Sequence, residues 1–503
     1  MKHIFRLISV IRLLAIYDAL APLQPMARGL PLLRMAMALM RLTHLRKKDR
    51  DLSDGARLAR ALRHLGPAFI KLGQTLATRP DLVGDELAEE LSMLQDSLPP
   101  FDEECVLTAI AEELGVPLSE AFSSFDSEPI AAASVAQVHF ATTLDGQDVA
   151  VKILRPGIKR QFERDISTFY WVARIFERAS SEMRRLRPVD IVATMEANIK
   201  LETDLMMEAA AAGELADNMA GFEGYRVPRV IWALTTHRIL TTERIIGIPI
   251  GNREALVKAG HDTSKLARTI VSAFLRQSIQ HGFFHADLHP GNLFVEADGT
   301  IVAVDFGIMG RLDENSRRFL GEILWGFQKR DYRGVAQVHF DAGYVPESES
   351  IDLFAQALRA IAEPIIDRPI RDISFGHLFA QLLATTRRFS MQTQPQLLML
   401  QRSMVMVEGL ALMLDDDASM WALSRPELER FFIKQHKLPG IFGDLTMKMP
   451  ELGSLFSSLV ERYKSTRDGK RPGAKDLRSL IAELAALVIL SLIAAILRPP
   501  SKP

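Results

Sequence analysis

The sequence predicts an α+β fold in two lobes, a small sheet with attendant helices followed by a larger, mainly helical part. Three observations support this. Apolar residues recur at helical spacing through "DGARLARALRHLGPAFIKLGQTLA" (54–77). The period then changes to alternation in "IAAASVAQVHFATTLDGQDVAVKIL" (130–154), rich in β-formers. Helical spacing returns over 158–220 and 313–440, with short β-rich runs "RILTTERIIG" (238–247) and "TIVAVDFG" (300–307) between them.

The elements follow in order. Residues 1–50 form a basic, apolar lead with ten Lys or Arg and two acids, Asp18 and Asp49. Arg6 and Arg12 interrupt "HIFRLISVIRLLAIYDAL" before a long apolar run develops, which argues against a secretory leader. The stretch reads as a basic amphipathic helix, lying either at a membrane surface or on its own domain with arginines outward. Residues 51–125 form a helical extension, within which "GDELAEELSMLQDSLPPF" (84–101) ends in a proline stop. The N-terminal lobe spans 126–247, with "LDGQ" as a hairpin turn and inserted helices over 158–198. A helix around 264–281 leads to the second pair of short strands, and the helical C-terminal lobe spans 248–462.

Residues 463–478 are a basic linker. Beyond it "SLIAELAALVILSLIAAIL" (479–497) is interrupted only by Glu483. Nineteen residues at about 1.5 Å each approach the roughly 30 Å of a hydrocarbon core. The basic flank expects the preceding lobes on the cytoplasmic side of the inner membrane, anchored by this segment. A buried terminal helix is the alternative.

A net charge of −1 gives no global reason to expect nucleic acid as a partner. One cysteine, Cys105, excludes an intrachain disulfide and a cysteine-based zinc site.

The chemistry gathers around "HADLHPGN" (285–292). His285, Asp287 and His289 alternate, so an extended stretch puts them on one face, as a metal site would need. No further Cys, His or Asp set stands nearby to complete it. The other reading uses the five positions from Asp287 to Asn292. That interval, with a histidine two residues before the aspartate, is the protein-kinase catalytic loop H-R-D-x-x-x-x-N. Thirteen residues further on, "VDFG" sets Asp305 after an apolar strand. Asn292 and Asp305 supply hard oxygens suited to Mg²⁺ bridging ATP phosphates. Upstream, "VAVK" ends a strand on Lys152, which can reach phosphates if an acid holds it.

"FIKLGQTLATRPDL", "AAASVAQVH", "VAVKILRPGI", "LETDLMMEAA", "HADLHPGN" and "VDFG" stand in this order. Together they resemble the UbiB family of atypical kinase-like ATPases associated with ubiquinone biosynthesis. The likeness runs from about residue 20 to 330 and more weakly to the end. It implies a two-lobed protein-kinase-like fold with an N-terminal helical extension and a C-terminal hydrophobic helix. It implies ATP and Mg²⁺ as cofactors. Membrane lipids, polyprenyl quinone precursors and other ubiquinone-biosynthesis proteins are the expected partners. Older naming ties the family to hydroxylation of a polyprenylphenol, but the sequence has no dinucleotide fingerprint, haem motif or evident iron triad.

Residue by residue, Asp287, Lys152 and Lys71 are the catalytic candidates. Nucleotide would lie against the loop and strand Ile130, Ala131, Ala132, Ala133, Ser134, Val135, Ala136, Gln137 and Val138, in place of a Gly-rich loop. Alanine restricts the conformations that glycine allows, so the nucleotide pose should differ from that of ordinary kinases. Glu208 is the expected partner of Lys152, 56 residues away. Backbone amides near Glu243 and Ile245 would meet adenine at the hinge. Lys71, Gly73 and Gln74 form the KxGQ motif, which in the family folds over the site where a peptide would lie. Lys71 would pair with Glu202 and Asp204. After Asp305-Phe306-Gly307 the chain turns helical almost at once, without Ala-Pro-Glu, which weighs against a protein substrate. A true kinase and a non-catalytic nucleotide-binding scaffold are the rival readings.

Overall fold

A computed structural model describes residues 2–20, 35, 52–77, 83–92, 94, 99–179, 184, 187–363, 385, 388–391, 395–418, 423–424 and 426–431. The expected basic linker 463–478 and the apolar segment 479–497 lie outside the described residues. Residues 1–427 form one unit, and the fold is that of this unit.

The chain opens with α1 (Lys2–Ile16), α2 (Asp54–Leu65), α3 (Pro67–Ala77), α4 (Asp85–Ser92) and α5 (Glu103–Leu114). Ser53 caps α2 by accepting the Ala56 N–H at 3.2 Å. Gly66 breaks the helix with φ +107°, and Pro67 starts α3, where its missing N–H is no loss.

The expected orientation of α1 is half right. Arg6 points inward, not outward. Its guanidinium grips Asp165 at 2.8 and 3.0 Å and lies over the Phe69 ring. Asp165 is fully buried and belongs to α6 (Ile158–Ala179). Ile4, Phe5, Ile8 and Arg12 occupy the opposite, exposed face.

The first sheet has five antiparallel strands. These are β1 (Phe122–Phe125), β2 (Ala131–Ala132), β3 (Ala136–Thr143), β4 (Asp148–Leu154) and β6 (Ile239–Glu243). Their order is β1-β3-β4-β6, with β2 paired to β3. The sheet thus begins at Phe122, inside the stretch expected to be helical extension. The 144–147 turn works as the sequence suggests, with Gly146 at φ +82° joining β3 to β4. Val149, Val151 and Ile153 point to the back of the sheet and pack on Val106, Ala109 and Ile110 of α5. By alternation, Ala150 and Lys152 point to the front.

Between β4 and β6 come α6, α7 (Pro188–Glu202), α8 (Leu205–Asn218) and β5 (Tyr225–Arg226). They account for the long interval between Lys152 and Glu208. The second lobe is built on α9 (Thr263–Leu275), whose Leu266, Ile270, Val271, Phe274 and Leu275 are buried. Each such side chain contributes about 1.5–3 kcal/mol by leaving water. A π-helical turn, Arg276–His281, continues α9 and delivers the chain to β8 (Phe283–His285). A four-stranded sheet follows the order β5-β10-β9-β7, from β7 (Ile248–Pro249), β9 (Leu293–Val295) and β10 (Ile301–Ala303). β11 (Met309–Arg311) pairs with β8. The helices α10 (Glu314–Gln328), α11 (Tyr332–Asp341), α12 (Ile351–Ala362) and α13 (Pro395–Leu414) complete the lobe.

Removing one partner of a buried pair leaves an uncompensated charge, at about 3–5 kcal/mol. Arg6→Ala should therefore lower stability by about 3 kcal/mol in denaturant melts. Arg6→Met combined with Asp165→Leu should recover most of that loss.

Candidate active site

Lys152 sits on the front of β4, opposite Val138 of β3 and Leu240 of β6. Its Nζ reaches Glu208 Oε1 at 2.8 Å and Oε2 at 3.0 Å. The same Nζ reaches Asp305 Oδ1 at 3.0 Å. Asp204 caps α8 by accepting the Met206 N–H at 3.2 Å, which brings Glu208 into the first turn. An acid there also suits the helix dipole.

Asp305 stands just after β10 in a left-handed conformation, φ +63°. Few residue types adopt it, and aspartate is one of them. Lys152 beside it holds the Asp305 carboxyl well below the usual carboxylate range, outweighing burial. Burial disfavours the Lys152 ammonium, but Asp305 and Glu208 together raise its pKa well above the ordinary lysine value. In Glu208 burial pushes the carboxyl up, against the pull of Lys152.

The loop 285–292 is held by its own backbone. His285 is fully buried, and burial keeps its pKa below that of a free imidazole. Its Nδ1 accepts the Asp287 N–H at 3.1 Å, so the hydrogen sits on Nε2, which faces the Val304 carbonyl at 3.2 Å. Both nitrogens are spent, and neither is left for a metal. Among the described residues no cluster of three His, Cys, Asp or Glu side chains fits an ion. The alternating-histidine metal reading therefore fails here.

Asn292 donates Nδ2–H to the Asp287 carbonyl at 3.0 Å, and its backbone carbonyl accepts the Val304 N–H at 2.9 Å. Its Oδ1 is thereby fixed as the acceptor end of the amide. A buried amide oxygen and an ionised carboxylate, Asn292 and Asp305, are the hard donors that Mg²⁺ requires, so the residues fit that ion.

In the alanine loop, Ala131 and Ala132 pair with Val138 and Gln137 as an extended strand. Ala133 N–H donates to the Ala136 carbonyl at 2.8 Å and closes a tight turn. No residue from Ile130 to Val138 has a positive φ, so the turn needs no glycine. Ser134, Val135 and Ala136 are buried, and Ile130 is exposed at the rim.

Three expectations need correction. Gln137 lies on the back of the sheet, opposite in sense to Lys152. Its Oε1 accepts the Phe101 N–H at 2.9 Å, and its Nε2 meets His139 Nε2 at 2.9 Å. The Glu243 amide is already donated to the Arg229 carbonyl at 2.8 Å and cannot serve adenine. The Glu243 carboxylate instead takes Arg226 at 3.0 and 3.1 Å, while Arg226 also binds Glu296 at 2.6 and 2.8 Å. Ile245 follows the end of β6. The third correction concerns Asp204, which faces His237 Nδ1 at 2.8 Å. Lys71 pairs with Glu202, at 2.8 Å.

In the KxGQ segment, Gly73 is buried in α3. A Cβ there would come within 2.7 Å of both Leu62 and Leu94. Gln74 Nε2 donates to the Leu94 carbonyl at 3.3 Å.

Sequence reasoning missed three contributors. Ala150 shares the front face with Lys152, which the two-residue alternation already signals. Arg155 donates to the Ala133 carbonyl at 3.1 Å and the Pro99 carbonyl at 2.6 Å, tying the alanine loop to the end of β4. Gln277, in the π-helical turn, accepts the His285 N–H at 3.0 Å. Only the irregular turn, invisible in spacing, brings it there.

The ABC1 atypical kinase-like domain matches residues 93–339, and the UbiB helical domain matches 358–419. A probable protein kinase UbiB of Pseudomonas putida is 42% identical, covering 86% of this chain and 82% of its own. The chain belongs to the UbiB family. The probable protein kinase UbiB of Marinobacter nauticus is 44% identical over 79% of this chain and 74% of its own. A solved structure of Rv3197 with erythromycin, from Mycobacterium tuberculosis, has the same fold at TM-score 0.52. It is 24% identical and covers 72% of this chain and 92% of that one.

Arg226 joins β5 to the hinge end of β6. Burial works against the Glu243 charge, but Arg226 and the Arg229 amide outweigh it and lower the pKa. A lowered carboxyl stabilises the fold above its unfolded value, about 4.3, and that contribution vanishes as pH falls through the folded value. Arg226→Ala should cost about 1–2 kcal/mol at pH 7. In melts against pH, the gap from wild type should close below about pH 4.

Proposed function

We propose that this protein is a membrane-associated, kinase-like ATPase that supports ubiquinone biosynthesis. One observation carries the reading: a single ammonium, Lys152, is braced by Glu208 and touches Asp305 of the Asp-Phe-Gly segment. Lys152 would grip the nucleotide phosphates. Glu208 would keep that amine charged and aimed. Asp287 would orient the attacking hydroxyl or water and accept its proton. Asn292 and Asp305 would hold Mg²⁺, which when bound neutralises charge on the phosphates. Rate enhancement would come from positioning and electrostatics, since phosphoryl transfer asks little covalent chemistry of the protein.

After Gly307 the chain passes through β11 and enters α10 at Glu314, which leaves little length for docking a peptide. That favours water or a small molecule as acceptor. The relatives' name, probable protein kinase, keeps a true kinase as the second reading.

Membrane association draws support from α1, whose outer face exposes Ile4, Phe5 and Ile8 beside Arg12. No helix among the described residues is long and apolar enough to cross a bilayer. The apolar segment 479–497 would add an anchor on the cytoplasmic side of the inner membrane. At that surface the protein would give other ubiquinone-biosynthesis proteins access to polyprenyl quinone precursors.

The deciding measurement is ATP hydrolysis by the purified protein in Mg²⁺, with and without anionic liposomes carrying a phenolic quinone precursor. Hydrolysis stimulated by the liposomes supports the reading; stoichiometric transfer to a protein in membrane extract supports the kinase. Lys152→Ala should abolish the thermal shift induced by MgATP, and Asp287→Asn should keep that shift while lowering kcat by about 10²–10⁴-fold. An unchanged shift in Lys152→Ala would contradict its phosphate role. Ala132→Gly should loosen the extended loop and change the ratio of ATP to ADP affinity. Equal affinities in both proteins would count against the loop assignment.

A further inference from the structure

The second histidine of "HADLHPGN" takes no part in the phosphate-handling set. His289 opens the short turn Pro290–Asn292, and its Nδ1 accepts the Gly291 N–H at 3.0 Å. A ring nitrogen that accepts a backbone N–H carries no hydrogen, so in the neutral ring the hydrogen is on Nε2. That Nε2 faces Asp287 Oδ2 at 3.8 Å. A Cβ added to Gly291 would lie 2.8 Å from His289 Cε1 and 3.0 Å from Nδ1. Glycine at 291 therefore leaves room for an imidazole laid against the backbone with its donor turned to the aspartate. Among the described residues no side chain lies within hydrogen-bond distance of the Asp287 carboxylate, and His289 is the basic group that faces it.

We infer that His289 is a positioning residue for Asp287: its Nε2–H holds Oδ2 and leaves Oδ1 to face the incoming hydroxyl. This deepens the proposed function and rests on it. The separation exceeds a charge-assisted N–H···O bond by about 1 Å. Hydrogen bonds of this kind tighten once the reacting groups are bound. A carboxylate with one oxygen tethered presents the other in a fixed direction, and a rotation of the base is what the tether prevents. The effect belongs to the chemical step and not to nucleotide binding.

Two replacements separate the two ring nitrogens. His289→Asn keeps an acceptor for the Gly291 amide at the Nδ1 position and removes the Nε2 donor. His289→Gln keeps a donor near the Nε2 position and removes the acceptor. Gly291→Ala displaces the ring without removing it. The readouts are kcat and KM for ATP hydrolysis in Mg²⁺, and the thermal shift with MgATP. His289→Asn should lose about 10- to 100-fold in kcat at unchanged KM and unchanged Tm. Gly291→Ala should lose kcat in the same way. His289→Gln should stay within about threefold of wild type in kcat even where its Tm falls. The reverse ranking, with Asn active and Gln inactive, overturns the inference, because the ring would then be only a turn cap. A rise in KM at constant kcat in His289→Asn overturns it too. A wild-type protein that neither hydrolyses ATP nor is stabilised by it brings down the functional reading, and the inference with it.

Discussion

The contact among Lys152, Glu208 and Asp305 joins three parts of the chain that lie far apart in sequence. The lysine comes from the central strand of the first sheet, Glu208 from the helix inserted after it, and Asp305 from the second lobe. A desolvated ammonium costs several kcal/mol unless anions repay it. Two carboxylates within 3.0 Å do so, and each is in turn held by local structure. The cap at Asp204 sets the start of α8, and the left-handed backbone at Asp305 turns its carboxylate toward the amine. The insertion supplies Glu208, and the loop 285–292 holds Val304, next to Asp305, through His285 and Asn292.

The same logic governs the loop below it. His285 spends both nitrogens on backbone groups, and Asn292 spends its amide hydrogens on the Asp287 carbonyl. These neutral side chains act as fasteners. What remains uncommitted to the backbone is one carboxylate at Asp287 and one amide oxygen at Asn292. A loop so tied loses little entropy when a ligand arrives, which is the physical content of preorganisation.

Much of this was legible in the residues. The two-residue alternation of 149–154 gave both faces of β4, and the five-residue interval from Asp287 to Asn292 gave the loop. The Lys152–Glu208 pair was named on family resemblance across a long insertion, and the coordinates bring the two together. What escaped was everything decided by packing between distant segments. A basic helix packed on its own domain is expected to turn its arginines outward, but an aspartate buried on α6 turns Arg6 inward. Gln137 sits one residue from Val138, and the pleat sends the two to opposite sides, which a list of neighbours in sequence ignores. Glu243 stands in the expected strand, yet its carboxylate belongs to Arg226, a residue 17 positions earlier with no pattern to mark it.

Glu202 and Glu208 are six residues apart, and each answers to a lysine from a different region, Lys71 of α3 and Lys152 of β4. The stretch between them behaves like a yoke harnessed at both ends. Adding or deleting one residue within 203–207 would turn Glu208 about 100° around α8 and part it from its lysine, even with every acid retained. The 144–147 turn holds neither lysine, and its tie to the rest of the chain is Gln147, which accepts from Arg229 at 2.6 Å. Lineages of this chain should therefore vary in length more at the hairpin than across the yoke.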